Sequence, residues 1–587
     1  MNRSRGTFFL IILAAVAVII GYNFFNNRAP APTPASGSQS NGQTNTQTEA
    51  TPNNALVISV ASSNTKQNWL TQVASKFNDA KLKTKEGSTI FVEVSHVTSG
   101  GSMNAILDGT SQPTAWSPGD GSWVEQANQT WQTRNNKPLA SESCPSTIYA
   151  PLGFAMWRPM AEALGWPDTP IGWDDIVKLA ADPNGWASYG RPEWGKFTFG
   201  HTHPAYANSG LLSMTSFVYG VAANSADLTV QEIYSDQVQN AMATLEQNTA
   251  KYGRQAPALL ELMAKEGTSY LHAAAVPEAD VVRFNIERGD ELSLPLAFIF
   301  PKNGTIWAEH PYCILDNADW VSAEEAEAAR IFRDYLLAKE QQELAIDNYL
   351  RPLDSSISLH EPMTLENGTD PRVSPATVRA LPSPNAAISE AVIDIFKLNK
   401  RKATILIVFD VSGSMEGDRI RTARTATADF LRRLDANDEV GMIVFNDRLT
   451  LLEPPQRAGD VTESLASRVS GLVADGATNL YGAVCQATSL ISQLQQEDEA
   501  AGEKRLYGVV LLSDGEDTVE SLTENQMFAT CLPSQAEADG VKIYPIAFGE
   551  GADQDVLSRI AKVTAGQLFT ADPSSISNIY LSISAEQ

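Results

Sequence analysis

The chain has few basic residues, few histidines and few cysteines, and each shortage excludes a class of function. Its 587 residues contain 43 Lys and Arg against 69 Asp and Glu, which gives a formal net charge of −26 at pH 7. Nucleic acids and anionic lipid surfaces need a basic footprint, so this balance argues against nucleic acid as a partner. The sequence also shows no nucleotide-binding loop and no serine with a neighbouring histidine to activate it. We therefore expect a protein that is not an enzyme.

The four cysteines fall two and two along the chain, with Cys144 and Cys313 in one half and Cys485 and Cys531 in the other. Four cysteines permit three connectivities, and only one of these keeps each bridge inside its own domain. In an oxidising compartment this predicts the disulfides Cys144–Cys313 and Cys485–Cys531. Four buried free thiols are the alternative.

The N-terminus carries a membrane or export signal. Arg3 and Arg5 precede an apolar run over residues 8–20, a length that fits either a signal peptide or a short transmembrane helix. No small-x-small cleavage site follows at the usual distance, which favours a signal anchor over residues 1–25 against a cleaved signal. Because positive charge stays inside, the N-terminus is expected in the cytoplasm and the bulk at the cell surface or in the periplasm. Residues 26–54 lack bulky apolar side chains and predict a disordered stalk.

Residues 55–353 show the alternation typical of a parallel α/β sheet. A strand over residues 56–63, a helix over 68–78 and a strand over 89–94 lead to a loop of small residues and a further helix from Met103. Ligands of such sheets bind at the carboxyl ends of strands, where helix N-termini offer free N–H groups. The loops that fall there, together with a polar loop near residue 205, supply the candidate ligand-binding residues Ser62, Ser63, Ser99, Gly100, His203, Asn208 and Ser209.

This half of the chain contains several short motifs of turn-forming and aromatic residues. They are Val60-Ala61-Ser62-Ser63, Leu164-Gly165-Trp166-Pro167, Trp173-Asp174-Asp175, Asp182-Pro183-Asn184-Gly185-Trp186, His203-Pro204 with Asn208-Ser209-Gly210, and Pro301-Lys302-Asn303-Gly304-Thr305. With these motifs the half resembles the type 2 extracellular solute-binding proteins (periplasmic-binding-protein-like), particularly their molybdate- and sulfate-like group. The resemblance implies two lobes joined by crossing strands that close on a small ligand by hinge motion. No cluster of Arg or Lys marks an anion pocket, so we expect oxyanion binding to rest on hydroxyls and backbone N–H groups.

A Pro-rich connector follows and leads into the last domain. Residues 354–400 contain this connector and an amphipathic helix over 386–398. An apolar run over 403–409 then predicts a central strand that ends in Asp410-Val411-Ser412-Gly413-Ser414-Met415. Asp475-Gly476-Ala477-Thr478-Asn479-Leu480 supplies a hydroxyl before a helix, and a strand over 509–513 ends in Asp514. These hard oxygen ligands at one sheet edge suit Mg²⁺, Mn²⁺ or Ca²⁺ rather than zinc.

The three motifs, in this order, are similar to those of von Willebrand factor A-type (VWA) domains over residues 401–587. The resemblance implies a doubly wound, Rossmann-like domain with a metal-ion-dependent adhesion site. Ser412, Ser414 and Thr478 would contact the ion, and Asp410 and Asp514 would hold it mainly through water. Mg²⁺ is the expected cofactor, and an open coordination position would accept a carboxylate from a protein partner.

The whole chain is therefore predicted as α/β, with a transmembrane helix, a two-lobed solute-binding domain and a VWA domain. Its expected function combines the binding of a small ligand with metal-dependent protein binding or adhesion at the outside of a cell membrane. The alternative is a tethered solute-binding component of an ABC-type uptake system.

Overall fold

The structure is a computed structural model that describes residues 55–587, apart from 206, 224–226, 254, 504, 520, 534–539, 550, 574–575, 577–578, 581–582 and 584–587. The predicted signal anchor (residues 1–25) and stalk (residues 26–54) lie outside the described residues. Within the described part, no helix has the length and apolar character needed to cross a bilayer.

Strands and helices alternate along most of the chain. The strands are β1 (Leu56–Ser62), β2 (Ile90–His96), β3 (Ala115–Ser117), β4 (Ala150–Trp157), β5 (Phe199–Thr202), β6 (Thr249–Gly253), β7 (Ala273–Pro277), β8 (Leu296–Ile299), β9 (Trp307–Ala308), β10 (Cys313–Ile314), β11 (Ala403–Asp410), β12 (Glu439–Phe445), β13 (Leu449–Arg457), β14 (Leu506–Ser513), β15 (Lys542–Phe548) and β16 (Phe569–Ala571).

The α-helices are α1 (Gln67–Ala80), α2 (Ser99–Asp108), α3 (Gly121–Asn135), α4 (Arg158–Ala163), α5 (Trp173–Ala181), α6 (Asn208–Ala222), α7 (Val230–Ile233), α8 (Asp236–Gln247), α9 (Ala256–Glu266), α10 (Glu278–Glu287), α11 (Ala323–Leu336), α12 (Lys339–Asp347), α13 (Ala386–Asn399), α14 (Asp418–Leu431), α15 (Ala458–Ser470), α16 (Leu480–Ala501), α17 (Glu524–Thr530) and α18 (Gln554–Val563). Single 3₁₀ turns include Asn64–Lys66 and Gly413–Met415.

Three sheets organise these elements. The first lobe has the strand order β10-β3-β1-β2, with β1 parallel to β2 and β3 and only β10 antiparallel. The second lobe has the order β6-β5-β7-β4-β8. The C-terminal domain has the order β13-β12-β11-β14-β15-β16, and all its neighbours are parallel except the edge strand β13. The two-lobed domain and the doubly wound domain predicted from the sequence are thus confirmed as folds.

The spacing of buried apolar residues explains why α1 packs against the first sheet. Helix α1 buries Trp69, Leu70, Val73, Ala74 and Phe77, spaced three and four residues apart so that they share one face. The small residues from Ser99 onward, predicted as a loop, instead form the first turn of α2. The edge strand β13 and the helix α15 have no counterpart in the prediction.

The chain crosses between the lobes beside a buried ion pair. Tyr149, just before β4, pairs with Arg351, and the Arg351 guanidinium donates two hydrogen bonds of 2.6 Å to the Glu278 carboxylate. Both side chains are almost fully buried, at 5% and 1% exposure. Thr369 from the connector also donates to Glu278. The pair therefore joins the first turn of α10 to the crossing segment and to the connector.

Both predicted disulfides are present. Cys144–Cys313 ties the segment before β4 to β10 of the first lobe, and Cys485–Cys531 joins α16 to the end of α17.

The C-terminal domain packs on the second lobe through α13. Phe396 is fully buried, and its ring lies edge-on to His203 (4.9 Å between centroids), Tyr252 (5.5 Å) and His201 (5.7 Å). Nearby, Lys251 of β6 donates a 3.0 Å hydrogen bond to the hydroxyl of Tyr544 in β15. A continuous apolar and polar contact therefore fixes the C-terminal domain to the second lobe.

Candidate ligand cleft and metal centre

A cavity of about 480 Å³ lies between the two lobes. Residues from both sheets line it, at the carboxyl ends of β1, β2 and β7. The polar lining residues are Ser63, Asn64, Thr65, Gln67, His96, Thr98, Ser99, Asn208, Ser209, Gln255, Asp280, Arg283 and His310. The volume suits one small molecule.

Three helices begin at this cavity. They are α2 at Ser99, α6 at Asn208 and α9 at Ala256, and in none of them does the N-cap side chain accept a hydrogen bond from the first turn. First-turn N–H groups have no partner within their own helix, and the helix dipole places partial positive charge at that end. An anionic group in the cavity would be stabilised by all three helices.

A buried amine lies directly behind the cavity wall. Lys66 is 1% exposed, and its Nζ lies 2.9 Å from Ser63 Oγ, 2.8 Å from the Ser117 carbonyl oxygen and 3.2 Å from His310 Nδ1. No described carboxylate pairs with it. Burial lowers the pKa of Lys66, because desolvation disfavours the ammonium form. A negative charge in the cavity would offset that cost.

His310 connects this amine to the cavity. Burial, followed by the charge of Lys66, lowers the pKa of His310, so that its ring is neutral. When Nδ1 accepts from Lys66, the ring proton lies on Nε2, and the buried Nε2 has no hydrogen-bond partner in the described structure. His310 lines the cavity and Ser63 Oγ is also within 3.1 Å of its Nδ1. Ser63 and His310 therefore link the buried amine to the cavity that both of them line.

Four of the seven predicted ligand-binding residues line the cavity: Ser63, Ser99, Asn208 and Ser209. The other three lie outside the lining. Ser62 directs its hydroxyl to the Ser63 carbonyl oxygen, at 3.3 Å. Gly100 faces Trp123, where an added Cβ would lie 3.2 Å from the indole. His203 turns toward Phe396 because the ring completes the apolar contact with the C-terminal domain.

The expectation that oxyanion binding rests on hydroxyls and backbone N–H groups alone is incomplete. Arg283 lines the cavity, where it forms a 2.7 Å ion pair with Asp280, and Lys66 lies behind Ser63. Lys66 follows Ser63 by three residues, about one turn of a helix, so the sequence could have predicted that it lies close to Ser63. His310 is distant in sequence, and no local pattern signals it.

The five predicted metal-site residues converge at the carboxyl edge of the C-terminal sheet. Ser412 Oγ lies 2.9 Å from Ser414 Oγ, and Ser414 Oγ donates a 2.6 Å hydrogen bond to Asp514 Oδ1. A Cβ placed on Gly515 would lie 3.6 Å from Ser414 Oγ and 3.7 Å from Thr478 Oγ1, so these two hydroxyls border the same small space.

Asp410 is held from both sides at the end of β11. One carboxylate oxygen accepts from the backbone N–H of Ser412 at 2.8 Å, and the other accepts from Ser513 Oγ at 2.8 Å. Burial raises the pKa of Asp410 to about 6, while the hydrogen bonds from Ser412 and Ser513 oppose that rise. The two interactions fix the carboxylate between the serine loop and the end of β14.

The set of donors fits a hard divalent cation. Two carboxylates and three hydroxyls offer only oxygen, which Mg²⁺, Mn²⁺ and Ca²⁺ prefer. Among the described residues, no group of three or more His, Cys, Asp and Glu side chains is arranged to hold a metal ion. A centre at this edge would therefore rely on its hydroxyls.

Arg419 also reaches this edge and has no place in the prediction. Its Nη1 donates a 2.7 Å hydrogen bond to Asp514 Oδ2 and lies 3.3 Å from the Ser414 carbonyl oxygen. Arg419 belongs to the first turn of α14, close behind the serine motif. Its position in that turn, five residues after Ser414, is the signal by which it could have been found.

Comparison with known proteins assigns both halves. Residues 58–351, just over half of the chain, match the family described as bacterial extracellular solute-binding protein. The chain belongs to this family. Residues 405–516 match the von Willebrand factor type A domain, so the solute-binding domain precedes a VWA domain.

Curated relatives match part of the chain. Inter-alpha-trypsin inhibitor heavy chain H4 of Bos taurus is 33% identical over 118 residues, 20% of this chain and 13% of that protein. A UPF0353 protein of Mycolicibacterium gilvum is 25% identical over 194 residues, 30% of this chain and 57% of its own length. The chain thus spans less than two thirds of either relative.

Solved structures of binding proteins resemble part of the chain at low identity. A periplasmic thiamin binding protein is 12% identical and aligns with 59% of this chain and 96% of its own chain, at a TM-score of 0.41. The sulfate-binding protein SubI of Mycobacterium tuberculosis is 14% identical, with 51% and 88% coverage and a TM-score of 0.35.

Proposed function

We propose that the chain is a membrane-anchored, exported binding protein with two recognition sites and no catalytic activity. The cleft between the lobes takes a small acidic ligand. The VWA domain takes a carboxylate of a protein partner through a divalent cation, Mg²⁺ in the first place and Mn²⁺ or Ca²⁺ otherwise. The N-terminal segment supplies the anchor, with the N-terminus in the cytoplasm and the bulk outside.

The observation that carries the metal-dependent function is the convergence of Asp410, Ser412, Ser414, Thr478 and Asp514 at one sheet edge. Ser412, Ser414 and Thr478 would contact the ion, and the two aspartates would balance its charge. A bound divalent cation supplies an electrophilic position that an incoming carboxylate can complete. The chain's own part is to hold the oxygens in place, which the hydrogen bonds to Asp410 and Asp514 accomplish.

Calorimetric titration of Mg²⁺ into the metal-stripped chain tests this part. We expect one-site binding in the natural chain and none in Asp410→Ala. Asp418→Ala is the matched control, because Asp418 is exposed in the first turn of α14 and forms an ion pair with Arg421. Absence of binding in the natural chain would refute the metal centre.

The acidic ligand is supported by Lys66, a buried amine without a described carboxylate partner, and by the three helix N-termini at the cavity. Thermal unfolding in the presence of sulfate, phosphate, molybdate and short carboxylic acids tests it. We expect at least one anion to raise the unfolding temperature of the natural chain but not of Lys66→Met. Lys76→Met, which removes an exposed lysine of α1, the helix that follows Lys66, should retain the full response.

A second candidate is a tethered component of an ABC-type uptake system. The observation that favours it is the solute-binding family match over half of the chain. Isolation of membranes with the tagged chain separates the two: a co-purifying permease supports uptake. Surface proteins that dissociate in chelator support metal-dependent binding.

A further inference from the structure

Arg419 lies beside the candidate metal centre and is held there by three contacts. Its Nη1 bridges the Asp514 carboxylate and the Ser414 carbonyl oxygen. Its guanidinium lies against Gly549, where an added Cβ would come within 3.4 Å of Nη2 and 3.5 Å of Cζ and Nε. These are ordinary van der Waals distances, so the flat group packs beside Gly549, whose φ is +88°.

The electrostatic effect of this contact has a definite sign. Asp514 is 1% exposed, and the positive guanidinium 2.7 Å from its Oδ2 offsets its negative charge. A cation that binds beside Asp514 therefore meets a weaker negative field and an additional positive charge. Metal affinity falls for that reason, and the bound ion keeps more of its attraction for an incoming anion.

The Nε and Nη2 donors of Arg419 do not take part in the contacts to Asp514 and Ser414. The side chain is 39% exposed, and the structure gives Nε and Nη2 no acceptor among the described residues. A guanidinium carries five N–H donors in a rigid fork that matches the two oxygens of a carboxylate. The unused donors lie on the same rim as the serine loop, because Nη1 is held at Ser414.

We propose that Arg419 is the specificity-determining residue of this centre: it lowers the affinity for the free cation and binds the second oxygen of the partner's carboxylate. This inference rests on the metal-dependent function proposed above. It makes the site selective for groups with two acidic oxygens over single-oxygen donors such as amides or hydroxyls. The guanidinium and the cation then share one acidic side chain of the partner.

Two titrations of the full chain test this inference, with Arg419→Gln, Arg419→Lys and the control Arg421→Gln. Arg421 lies on the same helix, is 68% exposed and pairs with Asp418. The first titration measures Mg²⁺ binding by calorimetry. The second measures acetate binding to the Mn²⁺-loaded chain, from the loss of water-proton relaxation enhancement as acetate displaces bound water.

Arg419→Gln should bind Mg²⁺ about tenfold more tightly and acetate about tenfold more weakly, as expected for removing one partly exposed charge near a divalent ion. Arg419→Lys should keep the natural Mg²⁺ affinity but lose most of the acetate affinity, since an ammonium lacks the planar fork. Arg421→Gln should match the natural chain in both titrations.

The outcomes separate the two proposals. If the natural chain binds no Mg²⁺, the metal centre itself is refuted and the role of Arg419 with it. If the natural chain binds Mg²⁺ and Arg419→Gln leaves both affinities unchanged, or weakens Mg²⁺ binding, only the role assigned to Arg419 is overturned. A rise in Mg²⁺ affinity together with a fall in acetate affinity supports it.

Discussion

Removal of the Phe396 ring should destabilise the solute-binding domain although Phe396 lies outside that domain. The ring is fully buried and meets three aromatic rings of the second lobe, His201, His203 and Tyr252. Replacement of a buried Phe by Ala costs about 3–5 kcal/mol, which combines lost transfer free energy with the cavity left behind. The aromatic contacts favour the upper part of that range, because edge-on pairs contribute about 0.5–1.5 kcal/mol beyond burial.

The chain provides an assay that separates its two domains. All 11 tryptophans lie between Trp69 and Trp320, in the solute-binding domain. Tryptophan fluorescence during urea unfolding therefore reports on that domain alone. If the contact through Phe396 couples the domains, Phe396→Ala lowers the urea midpoint of the fluorescence transition.

Leu398→Ala is the control for this experiment. Leu398 lies on the same helix two residues away and is 67% exposed, so its loss should change the free energy of unfolding by no more than about 0.5 kcal/mol. The reasoning is refuted if the fluorescence transitions of Phe396→Ala and Leu398→Ala have the same midpoint. In that case, the two domains would unfold independently despite the buried contact.

Three further perturbations have signs fixed by the structure. Glu278→Gln should lower the free energy of unfolding by about 3–5 kcal/mol in urea, because it leaves a buried guanidinium without its charge partner, whereas the exposed Glu287→Gln should change little. Joint replacement of Cys485 and Cys531 by Ala should cost the VWA domain roughly 4 kcal/mol in calorimetric unfolding, from a bridge that spans 46 residues; an unchanged transition would contradict this. Burial lowers the pKa of Lys66, so the unfolded chain binds the proton more readily, and stability should rise with pH in the range between the lowered pKa and 10.5. Lys66→Met should flatten that rise in urea midpoints measured across alkaline pH, and an equal slope in both chains would show that Lys66 does not cause it.

The sequence predicted the C-terminal domain closely because its information is local. The strand predicted over residues 403–409 is observed as Ala403–Asp410 and the one predicted over 509–513 as Leu506–Ser513, since each is an apolar run buried on both faces. The edge strand β13 escaped prediction because none of its residues is buried and it contains two prolines. Prolines are tolerated there, where one side of the strand has no neighbour.

The metal site and the cleft also differ in how far the sequence could predict them. Asp410 ends one strand of the sheet, Asp514 follows another, and the two serines and Thr478 lie in neighbouring loops, so the rule that carboxyl ends of parallel strands share an edge was enough to predict that the five converge. The cleft depends instead on His310, which reaches Ser63 across 247 residues of sequence, and on the burial of Lys66, which no periodicity reveals. A hydroxyl-lined pocket was therefore predictable, but its electrostatic character was not. That character arises when β10 and the segment before it return the chain to the first lobe, and it underlies the acidic ligand proposed for the cleft.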